Sequence, residues 1–201
     1  MIRSLIFDLG GVVVPLDFSR GYRAIAGRCA CPAAEIPRRI ASTDLVKRFE
    51  TGQMESRDFV EQLCGAIGLD ASYEEFCELW SEIFLPGTLI PDPLLEALSQ
   101  SYRLVLLSNT NPLHFSFIEQ RYPVLRHFHD QVLSFRAGAA KPSSRIYQRA
   151  IEAAGCLPGE CFFTDDLPPF VEGARRSGIQ AELFQDAGKL IRDLEAAGVR
   201  W

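Results

Sequence analysis

The chain has 201 residues, 47% of them hydrophobic and 23% charged. This is the balance of an ordinary globular protein rather than a disordered one. At ~150 residues per domain, the length fits about one domain with room for an insertion. Lys plus Arg number 21 against 26 Asp plus Glu, a net charge of −5. That argues against a nucleic-acid-binding domain, which carries a basic excess or stripe; a small anionic substrate is compatible with it.

The N-terminal apolar run is broken by Asp8 and by Gly10 and Gly11, and it lacks a small-residue cleavage site. It does not read as a signal peptide. No stretch reaches the ~18 apolar residues of a membrane span. Six cysteines (Cys29, Cys31, Cys64, Cys77, Cys156, Cys161) lack a secreted-framework spacing, and His114, His127 and His129 lie far from the lone Cys29-x-Cys31. Reduced thiols in a cytoplasmic protein are the expectation, ahead of a zinc site.

In chain order, the first element is the apolar run 4–8, closed by Asp8 and two glycines. Such a continuous run reads as a strand buried on both faces of a parallel sheet. The segment 17–86 then shows apolar residues at helical spacing: Phe49, Phe59, Leu63, Ile67, Phe76, Leu79, Trp80 and Ile83. Ser56 is a candidate N-cap, and Gly52 and Gly68 are breaks between helices. Four further strand-like runs follow, at 104–107, 131–135, 161–163 and 180–184. Helical patterns alternate with them at 91–101, 111–121, 143–154, 168–177 and 186–197. Strand–helix alternation predicts an α/β fold: a Rossmann-like, three-layer core with a mostly parallel five-stranded sheet. Residues 1–16 and 87–201 form that core, and 17–86 form an inserted helical cap. An insertion at the carboxyl end of a strand lies where open α/β sheets bind ligands.

Reactive residue types cluster at the strand ends. Asp8 ends the first strand, Ser108-Asn109-Thr110 the second and Asp165-Asp166 the fourth, while Lys141-Pro142 follows the third. A parallel sheet brings such ends to one edge. Singly, each has an ordinary role as turn, cap or solvated loop residue; Ser-Asn-Thr-Asn ahead of Pro112 suits a helix start. Together they place three acids in one crevice, and a divalent cation with oxygen ligands, Mg²⁺, relieves the repulsion.

These residues resemble the motifs of the haloacid dehalogenase superfamily along nearly the whole chain. The likeness lies in Leu5-Ile6-Phe7-Asp8-Leu9-Gly10-Gly11-Val12, in Val105-Leu106-Leu107-Ser108-Asn109, in Ala139-Ala140-Lys141-Pro142, and in Phe162-Phe163-Thr164-Asp165-Asp166 with Val171-Glu172-Gly173-Ala174. Within the superfamily, the chain is similar to the bacterial α-D-glucose-1-phosphate phosphatase branch. Phe7-Asp8-Leu9-Gly10, Phe49-Glu50-Thr51-Gly52, Leu107-Ser108-Asn109-Thr110-Asn111 and Arg145-Ile146-Tyr147-Gln148 carry that likeness. The resemblance implies a phosphatase that hydrolyses a small phosphomonoester, a sugar phosphate, by forming an aspartyl-phosphate on Asp8. It implies Mg²⁺ held by Asp8, the Gly10 carbonyl and Asp166, with Asp165 in contact or just behind. It further implies phosphate bound by Ser108, the Asn109 amide and Lys141. A monomer or homodimer without nucleic-acid or membrane partners is expected.

Two departures stand out. Gly10 occupies the position where most phosphatases of the family carry a second Asp as general acid and base. That loss favours an acidic leaving group such as an anomeric hydroxyl. Asp17, just past the first motif, is the candidate substitute acid and lines the substrate entrance. Phe170 stands where Asn or Asp is usual, and predicts a weaker hold on the metal water and on Lys141. Phe49, Trp80 and Phe84 read as cap core rather than sugar-stacking residues; His114 and Phe115 lie at the active-site rim or on a helix surface. Two competing readings are a metal-independent haloacid dehalogenase and a catalytically weak binding or regulatory member. Asp165-Asp166 counts against the first, and the intact set Asp8, Ser108, Lys141 and Asp166 against the second.

Overall fold

A computed structural model describes residues 1–29 and 31–201. Five parallel strands form one sheet: β1 (Ser4–Phe7), β2 (Arg103–Ser108), β3 (Asp130–Leu133), β4 (Cys161–Asp165) and β5 (Gln180–Leu183), in the order β3-β2-β1-β4-β5. β1 lies in the centre, so it is covered on both faces. All four of its residues are buried, which is why it reads as an unbroken apolar run.

Helices follow β1 directly. They are α1 (Phe18–Ala26), α2 (Ile36–Ala41), α3 (Leu45–Glu50), α4 (Ser56–Ile67) and α5 (Tyr73–Ser81). Their apolar faces close on a core of their own. Phe49 stacks on Phe59 with centroids 4.1 Å apart, Phe59 meets Phe76 edge-on, and Phe76 stacks on Trp80. Burying aromatic rings of this size in offset or edge contacts stabilises a layer too small to share the main core.

The remaining helices flank the sheet. α6 (Asp92–Ser101), α7 (Pro112–Arg121) and α11 (Ala187–Ala196) cover one face, around Phe7, Leu104 and Phe162. α9 (Ser144–Ala154) and α10 (Pro168–Arg176) cover the other, around Ile6, Val105 and Phe163. The short α8 (Ser134–Ala137) connects β3 to them. The three-layer α/β core is thus the one the alternation predicts.

Local departures have local causes. The third strand stops at Leu133 and not at Phe135, because Ser134 begins α8 and its hydroxyl is engaged by the neighbouring strand end. That hydroxyl donates to the Thr110 carbonyl and accepts from the Thr110 N–H, at 3.0 and 2.9 Å. Ser56 is the first residue of α4 rather than its cap; Glu55 precedes it without a side-chain capping bond. The capping box falls instead at Ser72 and Glu75, ahead of α5.

Candidate active site

The carboxyl ends of β1, β2 and β4 meet at one point. Asp8 follows β1, its N–H donating to the Thr164 carbonyl of β4 at 3.0 Å. Asp165 ends β4 and is fully buried. Lys141, 4% exposed, reaches both: its Nζ lies 2.8 Å from Asp8 Oδ1 and 2.5 Å from Asp165 Oδ2. Carboxylate oxygens of Asp8, Asp165 and Asp166 all lie within 4.8 Å of one another. Among the described residues this is the only such cluster of candidate metal ligands.

Burial and charge set the ionisation here. Burial pushes the Asp8 carboxyl up to about 7; Lys141 offsets part of this and Asp165 adds to it. Asp166 is also raised, by partial burial and then by Asp165. Burial alone would depress the Lys141 ammonium, but the carboxylates of Asp8 and Asp165 outweigh it and hold the pKa above its usual value. Three carboxylates around one ammonium leave negative charge uncompensated. An all-oxygen donor set of that sign fits a hard divalent cation such as Mg²⁺.

The loops are fastened so that these groups converge. Asn109 is the fastener: its Oδ1 accepts from the Lys141 N–H at 2.8 Å and its Nδ2 donates to the Lys141 carbonyl at 3.1 Å. The sequence assigns Asn109 only through its backbone amide; this side-chain tie shows when the two loops are seen together. Asp165 Oδ1 accepts from the Leu167 N–H at 2.9 Å. Both of its oxygens are therefore engaged, one of them by Lys141. Ser108, 3% exposed, ends β2 beside the cleft.

That cleft, of about 180 Å³, lies between the cap helices and the strand ends. Gly10, Ser108, Asn109, Trp80, His114 and Glu50 are among its walls. His114 is half-buried in them rather than on a helix surface. Its Nε2 lies 2.9 Å from the Trp80 carbonyl, and its ring stacks on Trp80 at 5.3 Å. Phe115 belongs to the core under β2. Asn111 caps α7, as its place before Pro112 suggests, accepting from the His114 N–H.

Asp17 is engaged elsewhere. Its carboxylate caps α1, accepting from the Ser19 hydroxyl and from the Ser19 and Arg20 N–H groups. The Ser19 hydroxyl holds its pKa below the usual carboxylate value, with help from the backbone amides. A carboxyl ionised in this way has no proton to give at neutral pH, so it does not serve as the substitute acid. Phe170 also differs from expectation: its ring lies 5.0 Å from Lys141 Nζ and Phe163's lies 5.7 Å away. Phe170 thus touches Lys141 through its π-face. All six cysteines are free, and Cys29 and Cys31 belong to no candidate metal cluster among the described residues.

A buried carboxylate at the end of a central parallel strand, a lysine bridging it to a second acid and a helical cap above define a hydrolase of the haloacid dehalogenase type. The family model for haloacid dehalogenase-like hydrolases matches residues 2–178, and the chain belongs to that family. It is 28% identical over 172 residues to D-ribitol-5-phosphate phosphatase of Bacteroides thetaiotaomicron, covering 83% of this chain and 84% of that one. It is 29% identical over 207 residues to the phosphatase MT3486 of Mycobacterium tuberculosis, covering 98% and 95%. Among solved structures, it is similar to the B. thetaiotaomicron enzyme BT-2542 in complex with magnesium and inorganic phosphate. The TM-score is 0.81 at 26% identity, over 92% of this chain and 96% of that one.

Proposed function

We propose that this hydrolase is a Mg²⁺-dependent phosphatase that hydrolyses a small phosphomonoester, a sugar or polyol phosphate, through an aspartyl-phosphate on Asp8. The observation that carries the reading is the joint placement of Asp8, Lys141 and the acids 165 and 166 at one strand edge. The names of the similar phosphatases, and the magnesium and phosphate bound by BT-2542, support it.

In this reading Asp8 Oδ attacks phosphorus, and the ester oxygen departs. Lys141 supplies a fixed positive charge to the incoming phosphate and keeps Asp8 oriented through its 2.8 Å contact. The Ser108 hydroxyl and the Asn109 N–H bind phosphate oxygens. Asp8, Asp166 and the Gly10 carbonyl would hold Mg²⁺, with Asp165 behind them bound to Lys141. When bound, the cation offsets the repulsion between Asp8 and a phosphate dianion. Water then hydrolyses the acyl-phosphate and restores Asp8.

Dehalogenation fits the site less well. A halide leaves as a stable anion, and the acid cluster would have no counterpart in that reaction. The test is phosphate release from p-nitrophenyl phosphate, glucose 1-phosphate and D-ribitol 5-phosphate, with Mg²⁺ or with EDTA, alongside chloride release from 2-chloropropionate. Release of phosphate that needs Mg²⁺ and is lost in Asp8→Asn is expected. Chloride release indifferent to EDTA would overturn the reading.

A further inference from the structure

The proposed reaction leaves one proton unassigned. An alkoxide departing from phosphorus needs a proton, and Gly10 has no side chain to give it. The space above Gly10 is already taken: a Cβ there would lie 2.7 Å from Leu16 Cδ1. The donor must come from another element.

Two cavities open between the cap and the strand ends, and Glu50 lines both. The first also carries Gly10 and Ser108, the second Lys141; Asn109 borders the two. Among the described residues lining either cavity, Glu50 is the only carboxylic acid. It ends α3 on the cap side of both cavities, whose walls also include the groups assigned to the phosphate. Its neighbours hold it there. Phe49 is fully buried against Phe59. Gly52, two residues on, meets the core so closely that a Cβ would strike the Phe135 carbonyl. The other candidates are spent. Asp17 caps α1, and His114 uses both ring nitrogens, on the Trp80 carbonyl and on Asn111 Nδ2.

We propose that Glu50 is the general acid that protonates the leaving oxygen, taking the part for which position 10 has no side chain. This rests on the phosphatase reading above. As Asp8 Oδ bonds to phosphorus, the phosphorus–ester oxygen bond breaks. Its electron pair goes to the ester oxygen, which takes the Glu50 proton and leaves as an alcohol. Water then attacks the aspartyl-phosphate and gives one proton back to Glu50, and the phosphorus–Asp8 bond breaks to release phosphate. Burial, with no ion pair or hydrogen bond among the described residues to offset it, pushes the Glu50 carboxyl up to about 7. The acid is therefore substantially protonated near neutrality and able to recover its proton within the cycle. Tyr22 of α1, Lys47 of α3, His114 of α7 and Lys141 are the other titratable groups lining the two cavities. The helices packed on α3 add Arg57, Asp58, Glu61 and Cys64 of α4 and Arg136 of α8.

The test is Glu50→Gln against aryl phosphates of graded leaving group, assayed as kcat/KM with Mg²⁺. A p-nitrophenolate departs without help; a phenolate gains from protonation. Phenyl phosphate hydrolysis should fall by about 10²-fold or more, and p-nitrophenyl phosphate hydrolysis much less. Retained p-nitrophenyl activity also shows that the variant is folded. In the unsubstituted protein, kcat/KM for phenyl phosphate should decline above about pH 7, and this limb should vanish in Glu50→Gln. An equal loss on both esters, or no loss on either, would overturn the role of Glu50. Retention of p-nitrophenyl activity in Asp8→Asn would instead overturn the phosphatase mechanism itself.

Discussion

The carbonyl oxygen of Phe135, in the core, occupies the place where a side chain on Gly52, in the cap, would begin. Gly52 also has φ of +69°, a left-handed conformation that costs other residues about 1 kcal/mol or more. Gly68 has the same φ but nothing within 4 Å of its missing Cβ. The two glycines therefore separate strain from collision. Gly68→Ala should lower stability by about 1 kcal/mol and leave turnover unchanged. Gly52→Ala should cost more, and should lower kcat as the end of α3 moves off the core. Equal kinetics for the two variants would show that this contact does not position the cap.

Gly11 supports the proposed cation site in a comparable way. Its φ is +82°, and a Cβ would collide with the carboxylate of Asp166. Gly11→Ala should displace that carboxylate and weaken Mg²⁺ binding by about tenfold or more, within the range for disturbed ligand support. Calorimetric titration of Mg²⁺ checks this. An unchanged affinity would mean that Asp166 is not a ligand.

Much of this was legible before any coordinate. β1, β2 and β4 are buried on both faces, so their runs are continuously apolar, and each ends in the reactive residue that closes it. Asp8, Ser108 and Asp165-Asp166 followed from that pattern, and Lys141 from its motif. What was not legible depends on how separate elements dock. Asn109 ties down Lys141 through two bonds across 32 residues of sequence. Phe170 reads as the loss of a polar ligand, yet its ring contacts the same lysine. Glu50 follows a buried Phe49 on a short helix, where an acid ordinarily faces water; its place on the cavity walls shows when cap and core are seen together. Asp17 failed as a candidate for a local reason, since an Asp ahead of a Ser at a helix start is engaged in capping.

His114 makes the cap–core junction sensitive to acid. The Trp80 carbonyl can only accept, which selects the Nε2–H tautomer and leaves Nδ1 to accept from Asn111. Burial depresses its pKa from 6.5 to about 4. Between these values the unfolded chain binds the proton and the folded chain does not, so stability rises with pH through this window. The contribution is whole above pH 6.5 and is lost as pH falls toward 4. By pH 5 the loss should reach about 2 kcal/mol. Urea titrations at pH 7 and pH 5 should show this drop reduced in His114→Gln. An identical drop in both proteins would contradict a neutral imidazole at this junction.

Lys141 is where stability and chemistry meet. It is the ammonium between two buried carboxylates, with Phe170 against it. Lys141→Met removes the only cation in contact with Asp8 and Asp165 among the described residues. Breaking a buried pair costs about 3–5 kcal/mol, and turnover should be abolished. The sign of the metal effect is the sharper prediction. Without the ammonium, the acid cluster is more negative, so it should bind Mg²⁺ more tightly. Added Mg²⁺ should then raise the Tm of the variant more than that of the unsubstituted protein. Phe170→Leu keeps the charge and removes the ring, and should cost about 1–2 kcal/mol in the presence of Lys141. In the Lys141→Met background that cost should largely disappear, because the face has no cation to meet. A Phe170→Leu penalty of the same size in both backgrounds would assign the ring to packing alone.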